Sequence, residues 1–196
     1  MREVELKAVL DSWADRRAKL VSAGAMMVFA GRLEDRRYDT NSRLLAARDI
    51  VFRLRMYRDA RGTRAELEFK GPTAYENGYK VRDEIGSTVS DPDSVALMLA
   101  GLGYVVTRGI DRDIEQFELG EAIVRFERYP RMDDLVEVEG EPEALERAIA
   151  ALDLPRSAYT ADRLTDFAAR YEARTGTRAA LSDAELAGTA RAVRER

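Results

Sequence analysis

Apolar and polar residues alternate with a period of two from the start of the chain, where Val4 and Leu6 interleave with Glu3, Glu5 and Lys7. Successive side chains of a strand point to opposite faces, so Arg2–Val9 presents one greasy face and one face carrying acid, acid, base. The same period predicts strands over residues 25–32, 50–58, 65–70, 79–88, 104–118, 121–128 and 135–139. Between them the period lengthens to that of a helix. Residues 11–24 place Trp13, Leu20 and Val21 on one side and end at Gly24; residues 91–103 open with Asp91 as cap and Pro92 in the first turn; residues 141–152 open with Pro142. Beyond Pro155 the composition shifts to helix formers. Helices are expected over 160–175 and 182–194, with Ser182 and Glu185 spaced as a capping box.

The polar faces of the strands are unusual. Charged residues stand two apart in nearly every one: Arg53 and Arg55, Glu66, Glu68 and Lys70, Lys80, Arg82 and Glu84, Arg125 and Glu127, Glu137 and Glu139, while Arg108 and Arg112 bracket Ile110. Two packings satisfy such strands. An ordinary sandwich would turn the charged faces to solvent. A sheet closed on itself, with its apolar faces outward under the helices, would line a lumen with acidic and basic rows, and that burial is tolerable only if the charges pair or bind ions. About eight strands with antiparallel character, punctuated by helices, indicate an α+β fold built on a barrel, whose interior at that size is wide enough for side chains or one ligand.

Composition narrows the chemistry. The 196 residues are 45% hydrophobic and 35% charged, which suits a globular domain with a real core. There is no histidine and no cysteine, so the commonest general base, thiolate chemistry and most zinc sites are excluded. Catalysis must then rest on carboxylates, Lys, Arg, Tyr, Ser or Thr, or on a hard metal held through oxygen. A net charge of −4 gives no electrostatic footprint for nucleic acid. No apolar run approaches a membrane span and the N-terminus is charged from Arg2, so no membrane is expected and a cytoplasmic location is the default.

The order of the charged strands resembles the CYTH superfamily, the triphosphate tunnel metalloenzymes. Glu3-Val4-Glu5-Leu6-Lys7 resembles its ExExK opening, Tyr38-Asp39-Thr40 its tyrosine–aspartate segment, and Arg53-Leu54-Arg55 its basic pair. Lys70-Gly71-Pro72 is similar to its lysine-bearing strand end, Arg82-Asp83-Glu84 to its R-x-E strand, and Glu137-Val138-Glu139 to its closing E-x-E strand. The chain departs from the pattern at Glu127, where the family often has Asp, and at Ile110 and Arg112, where a K-x-R pair is common. The resemblance spans about residues 2–152 and implies an eight-stranded antiparallel closed β-barrel with flanking helices as a domain over residues 1–154; it leaves the tail uncovered, and residues 155–196 are expected from their composition to form a C-terminal helical extension packed on the barrel. It implies Glu3, Glu5, Glu137 and Glu139 as metal ligands with Glu84 and Glu127 supporting, and Lys7, Arg53, Arg55, Lys70, Arg82 and Arg112 as phosphate contacts. Glu5, Glu137 and Lys7 would carry catalysis with Mg²⁺ or Mn²⁺, on a triphosphate-containing small molecule, in a monomer or homodimer. Three activities fit: a triphosphatase, a class IV-type adenylate cyclase making cyclic AMP and pyrophosphate, and a non-catalytic polyphosphate- or nucleotide-binding module. Tyr38-Asp39-Thr40 reads as a structural turn, Trp13 as core, and Arg16-Arg17 and Arg36-Arg37 as solvated.

Overall fold

The computed structural model describes residues 2–190, with side chains from Val4 onward. Its strands are β1 (Arg2–Val9), β2 (Met26–Asp39), β3 (Val51–Asp59), β4 (Gly62–Lys70), β5 (Ala74–Glu76), β6 (Tyr79–Val89), β7 (Val105–Leu119), β8 (Ala122–Arg128) and β9 (Leu135–Glu139). Its helices are α1 (Trp13–Ser22), α2 (Pro92–Gly101), α3 (Pro142–Leu152), α4 (Leu164–Thr175) and α5 (Asp183–Leu186). Strands neighbour one another in the order β1-β9-β8-β7-β2-β3-β4-β6, and β6 returns to β1, so eight antiparallel strands close a barrel. The short β5, which the alternation does not signal, pairs with β6 beyond the end of β4. It is separated from β4 by the break at Gly71-Pro72, where the Gly71 N–H still bonds the Asp83 carbonyl at 2.8 Å.

The apolar faces point outward. Val4, Leu6 and Ala8 of β1, Val124 and Phe126 of β8, and Val136 and Val138 of β9 form one buried cluster with Leu20 of α1 and Leu145, Ala148, Ile149 and Leu152 of α3. Each such side chain contributes roughly 1.5–3 kcal/mol on full burial, so this outer core carries much of the stability. On the opposite side Leu99 of α2 packs on Tyr38 and Leu54. Helix starts follow local capping: the Ser12 hydroxyl accepts the Asp15 N–H at 3.3 Å, and the Asp91 carboxylate accepts the Ser94 N–H at 3.0 Å.

Three elements differ from expectation. The strand expected over 25–32 continues to Asp39, because its outer face there meets polar partners instead of a greasy layer: Arg36 bonds Asp111 at 2.5 Å and Arg32 bonds Asp183 at 2.6 Å. Gly31 permits this long strand to cross β3, since a Cβ there would lie 2.2 Å from the Arg58 carbonyl oxygen. The helix expected from residue 160 starts at Leu164, because Thr160 pairs as a strand with Lys7, its N–H bonding the Lys7 carbonyl at 2.8 Å and its carbonyl the Lys7 N–H at 2.9 Å. The helix expected over 182–194 is only Asp183–Leu186; half of its capping box forms, with Ser182 accepting the Glu185 N–H while Glu185 turns to the Leu181 N–H at 2.6 Å. Residues 191–194 lie outside the described residues. Trp13 is half-buried at the edge of the outer core, 5.3 Å from Phe126 by ring centroids.

The extension after Pro155 meets the barrel at several points. Tyr159 is buried in the outer core, Ala180 pairs with Arg131, and the Asp111 N–H bonds the Leu181 carbonyl at 2.8 Å. Phe167 of α4 and Leu181 pack against Ile110, Tyr129 and Leu135. Among the described residues no helix is long and apolar enough to cross a membrane.

Candidate functional site

With the apolar faces outside, the alternate residues face inward around a cavity of about 480 Å³. Its wall includes Glu5 and Lys7 of β1, Arg53 and Arg55 of β3, Lys70 of β4, Arg82 and Glu84 of β6, Arg112 of β7, Glu127 of β8, and Glu137 and Glu139 of β9. Every residue proposed from the sequence for the site therefore lines this one space, apart from Glu3. Its main chain pairs with Arg82 across β1–β6, but its side chain lies outside the described residues.

The lining charges fall into two networks. In the first, Lys7 sits between two acids, in contact with Glu137 and 3.0 Å from Glu5. Arg125 bonds Glu137 at 2.5 Å, and Lys80 reaches Glu5. Burial alone would push the Glu5 carboxyl up, but Lys7, aided by Lys80 and Lys70, overcomes it and holds the group down at about 2. Burial likewise opposes Glu137, and Lys7 and Arg125 hold it well below the usual carboxylate range. The same pairs raise the Lys7 ammonium against its own burial. Both acids are thus anionic and Lys7 cationic at neutral pH.

In the second network Asp35, 1% exposed, is shared by three guanidinium groups: Arg55 at 2.7 and 3.0 Å, Arg112 at 3.1 Å and Arg53 at 3.4 Å. Burial raises its carboxyl, yet Arg53, Arg55 and Arg112 together hold it well below its ordinary value. Glu68 takes Arg53 at 2.5 Å and lies 3.5 Å from Arg55. Arg112 donates to Glu127 at 2.7 Å, and the Tyr129 hydroxyl donates to the other Glu127 oxygen at 2.7 Å, so protein donors engage both oxygens of that acid. Lys70 contacts Glu84. Arg82 donates to the Gly71 carbonyl at 2.6 Å and to the Asp49 carbonyl, tying the β4–β5 break to the loop before β3.

Several lining residues escape the motif pattern: Asp35, Arg37, Lys80, Arg125 and Tyr129. Lys80 and Arg125 belong to the charged alternation already visible in their strands. Arg37, grouped from the sequence with solvated Arg36, instead faces the cavity, whereas Arg36 is bound to Asp111 on the outside. Asp39 serves structure. Its carboxylate accepts the N–H groups of Thr40, Leu45 and Ala46 at 2.7, 2.9 and 2.9 Å, folding the connection that follows β2.

Among the described residues, no three carboxylates stand close enough to share one ion. The donor set nevertheless suits a hard cation. Glu5 and Glu139 are directly opposite in the β1–β9 register, Glu137 is the next inward residue of β9, and Glu5 and Glu137 are already deprotonated. Lys7 supplies their positive partner.

A closed antiparallel barrel with its charges inside defines a charged-tunnel protein. The CYTH domain model matches residues 1–153, and the chain belongs to that family. Proteins of the family are typically enzymes, triphosphatases or cyclases. No curated protein sequence matches the chain. Among solved structures it is similar to a candidate adenylate cyclase from Vibrio parahaemolyticus, with a TM-score of 0.72 at 20% identity over 84% of this chain and 96% of that one. A protein from Pyrococcus horikoshii gives 0.70 at 21% identity over 83% and 96%. A candidate adenylyl cyclase from Hippeastrum with a dominant triphosphatase activity gives 0.61 at 17% identity over 92% and 98%. At these identities the likeness speaks for the fold.

Proposed function

We propose that the protein is a divalent-metal-dependent phosphohydrolase that binds a triphosphate in the barrel lumen. The observation that supports this reading most directly is the coexistence, around one cavity, of several cationic side chains and several carboxylates contributed by many strands. Lys7, Arg53, Arg55, Lys70, Arg82 and Arg112 present donors from five strands, enough to surround a multiply charged anion rather than grip one end of it. Glu5, Glu137 and Glu139, with Glu3, would hold Mg²⁺ or Mn²⁺. The ion would supply Lewis acidity and neutralise charge on the phosphoryl oxygens.

The resting network suggests how the residues work. The acids and bases neutralise one another through Lys7–Glu5, Lys7–Glu137 and Arg53–Glu68 contacts. A bound triphosphate would exchange these partners: its oxygens would take the ammonium and guanidinium groups, leaving Glu5 and Glu137 available to hold the cation. Charge developing on the transferred group then meets donors already fixed by the barrel. With no histidine, the proton of an attacking water would pass to a Glu of the lumen or be lost from a water held by the cation.

The adenylate cyclase of the same tunnel class is the second reading, favoured by the groove beside the lumen described below, which has room for a nucleoside. A location in the cytoplasm and action as a monomer or homodimer accompany either reading. The deciding experiment is incubation with inorganic triphosphate, thiamine triphosphate and ATP, each with Mg²⁺ or Mn²⁺, followed by product separation. Orthophosphate is expected. Cyclic AMP with pyrophosphate would select the cyclase, and tight binding without turnover would leave a binding module.

A further inference from the structure

One row of the lumen lacks the balance found elsewhere. In the β3–β2–β7 register Arg53, Arg37 and Arg108 stand directly opposite one another, Arg37 pairing with Arg53 on one side and with Arg108 on the other. Like charges opposite each other on adjacent strands, with Cβ atoms about 4.5–5.5 Å apart, destabilise a sheet. One step deeper, the corresponding row is Arg55, Asp35 and Ile110, where the central residue is an acid. Glu68 answers for Arg53, but among the described residues no carboxylate pairs with Arg37 or Arg108, and the buried Arg37 Nε has no hydrogen-bond partner. Burial, then Arg53 and Arg108, push the Arg37 guanidinium down to about 9, the reverse of every other perturbed arginine in the lumen.

The row lies where two spaces meet. A second cavity, about 1060 Å³, runs outside the barrel between the β2–β3 connection and the C-terminal extension. Arg37, Arg108 and Arg163 line both spaces, and Arg163 also bonds Asp49 at 3.3 Å.

We propose that Arg37 and Arg108 form an additional anion subsite at the junction of lumen and groove, which takes a phosphoryl group beyond the three held in the barrel. The preferred ligand is then a linear phosphate chain at least one unit longer than triphosphate, with its end leaving through the groove. This rests on the reading of the lumen as a triphosphate site, and adds chain length to it.

The test is calorimetric titration of the full chain with inorganic triphosphate and linear tetraphosphate, metal removed by chelator, for wild type, Arg37→Gln and Arg108→Gln. Wild type is expected to bind tetraphosphate about tenfold more tightly than triphosphate, the value of one charge-assisted contact. Either variant should bring that ratio to about twofold or less, mainly through weaker tetraphosphate binding. A wild-type ratio near one, or an unchanged ratio in both variants, overturns the subsite while leaving the triphosphate reading intact; binding of neither anion by wild type overturns both. A structural role for Arg37 is separated by thermal melting without ligand. Relief of like-charge repulsion predicts an unchanged or higher midpoint for Arg37→Gln, and a fall of more than about 5 °C, over 1 kcal/mol for a chain of this size, would count against the proposal.

Discussion

Asp35→Asn removes one negative charge from the most enclosed part of the lumen while keeping the side chain's size. In the native protein three arginines, Arg53, Arg55 and Arg112, share Asp35, Glu68 and Glu127, so the cluster is locally neutral. The substitution leaves one buried guanidinium charge uncompensated, which costs about 3–5 kcal/mol when a partner is removed from a buried pair. At about 2–4 °C per kcal/mol for a chain of this length, the melting temperature should fall by roughly 10 °C. Urea denaturation at low ionic strength is the appropriate assay, since guanidinium chloride would screen the effect. The pH dependence gives a second check. Asp35 is held well below its ordinary value, so its stabilisation is fully present above the unfolded carboxyl's pKa, near 4, and is lost only as pH falls through the lower folded value. The difference between wild type and variant should therefore be constant from pH 8 to about pH 5 and shrink in stronger acid. Millimolar phosphate should rescue the variant more than wild type, because an anion replaces the missing charge. A loss below about 1 kcal/mol with an unchanged m-value would refute the account of Asp35 as the lumen's counterion.

Glu5→Gln is expected to lower turnover of triphosphate by at least about a hundredfold with little change in KM, whereas Arg55→Ala should raise KM as well; steady-state kinetics on both variants distinguish these, and full activity in Glu5→Gln would remove the proposed metal site. Because Glu5 is held at about 2 against an ordinary 4.5, it contributes on the order of 3 kcal/mol at neutral pH, lost as pH falls from about 4.5 toward 2, so Glu5→Gln should blunt the acid limb of stability measured by urea melts. Leu145→Ala, in the outer core and fully buried, should cost about 2–5 kcal/mol yet leave kcat unchanged at temperatures where it is folded, since it touches only the layer outside the barrel. Thr160→Pro removes the N–H that bonds the Lys7 carbonyl and should destabilise the protein by about 1 kcal/mol; no change in the urea midpoint would show that this pairing is dispensable.

The inward charges were legible because most strands alternate cleanly, and alternation survives only where one face meets an apolar layer. β1, β8 and β9 lie under α1 and α3, so their sequences state both faces. The second half of β2 does not. Glu34, Asp35, Arg36 and Arg37 are polar on both sides, the outer side because it meets Asp111 and the C-terminal extension, so the period vanishes, Asp35 gives no signal and Arg37 reads as solvated although it faces the cavity. Glu66 and Glu68 are visible in the alternation, where pairing with neighbouring arginines is the role open to them, and the β3–β4 register sets Glu68 opposite Arg53. The start of α4 is hidden for a related reason: nothing local in Thr160 reveals that Lys7, distant in sequence, takes its backbone.

The seam of the barrel has a consequence for how the protein is made. β1 precedes every other described strand, yet both of its neighbours come late: β6 meets it over Arg2–Glu5, and β9 over Glu5–Val9. Until β9 emerges from the ribosome, β1 is a nascent strand with an open edge, and its pairing with β9 is the most distant in sequence of the barrel's strand pairings, which slows folding. Charged residues on alternate positions of β1 guard that edge against sticking to other chains during the wait, so the side chains assigned here to chemistry also protect the polypeptide at birth.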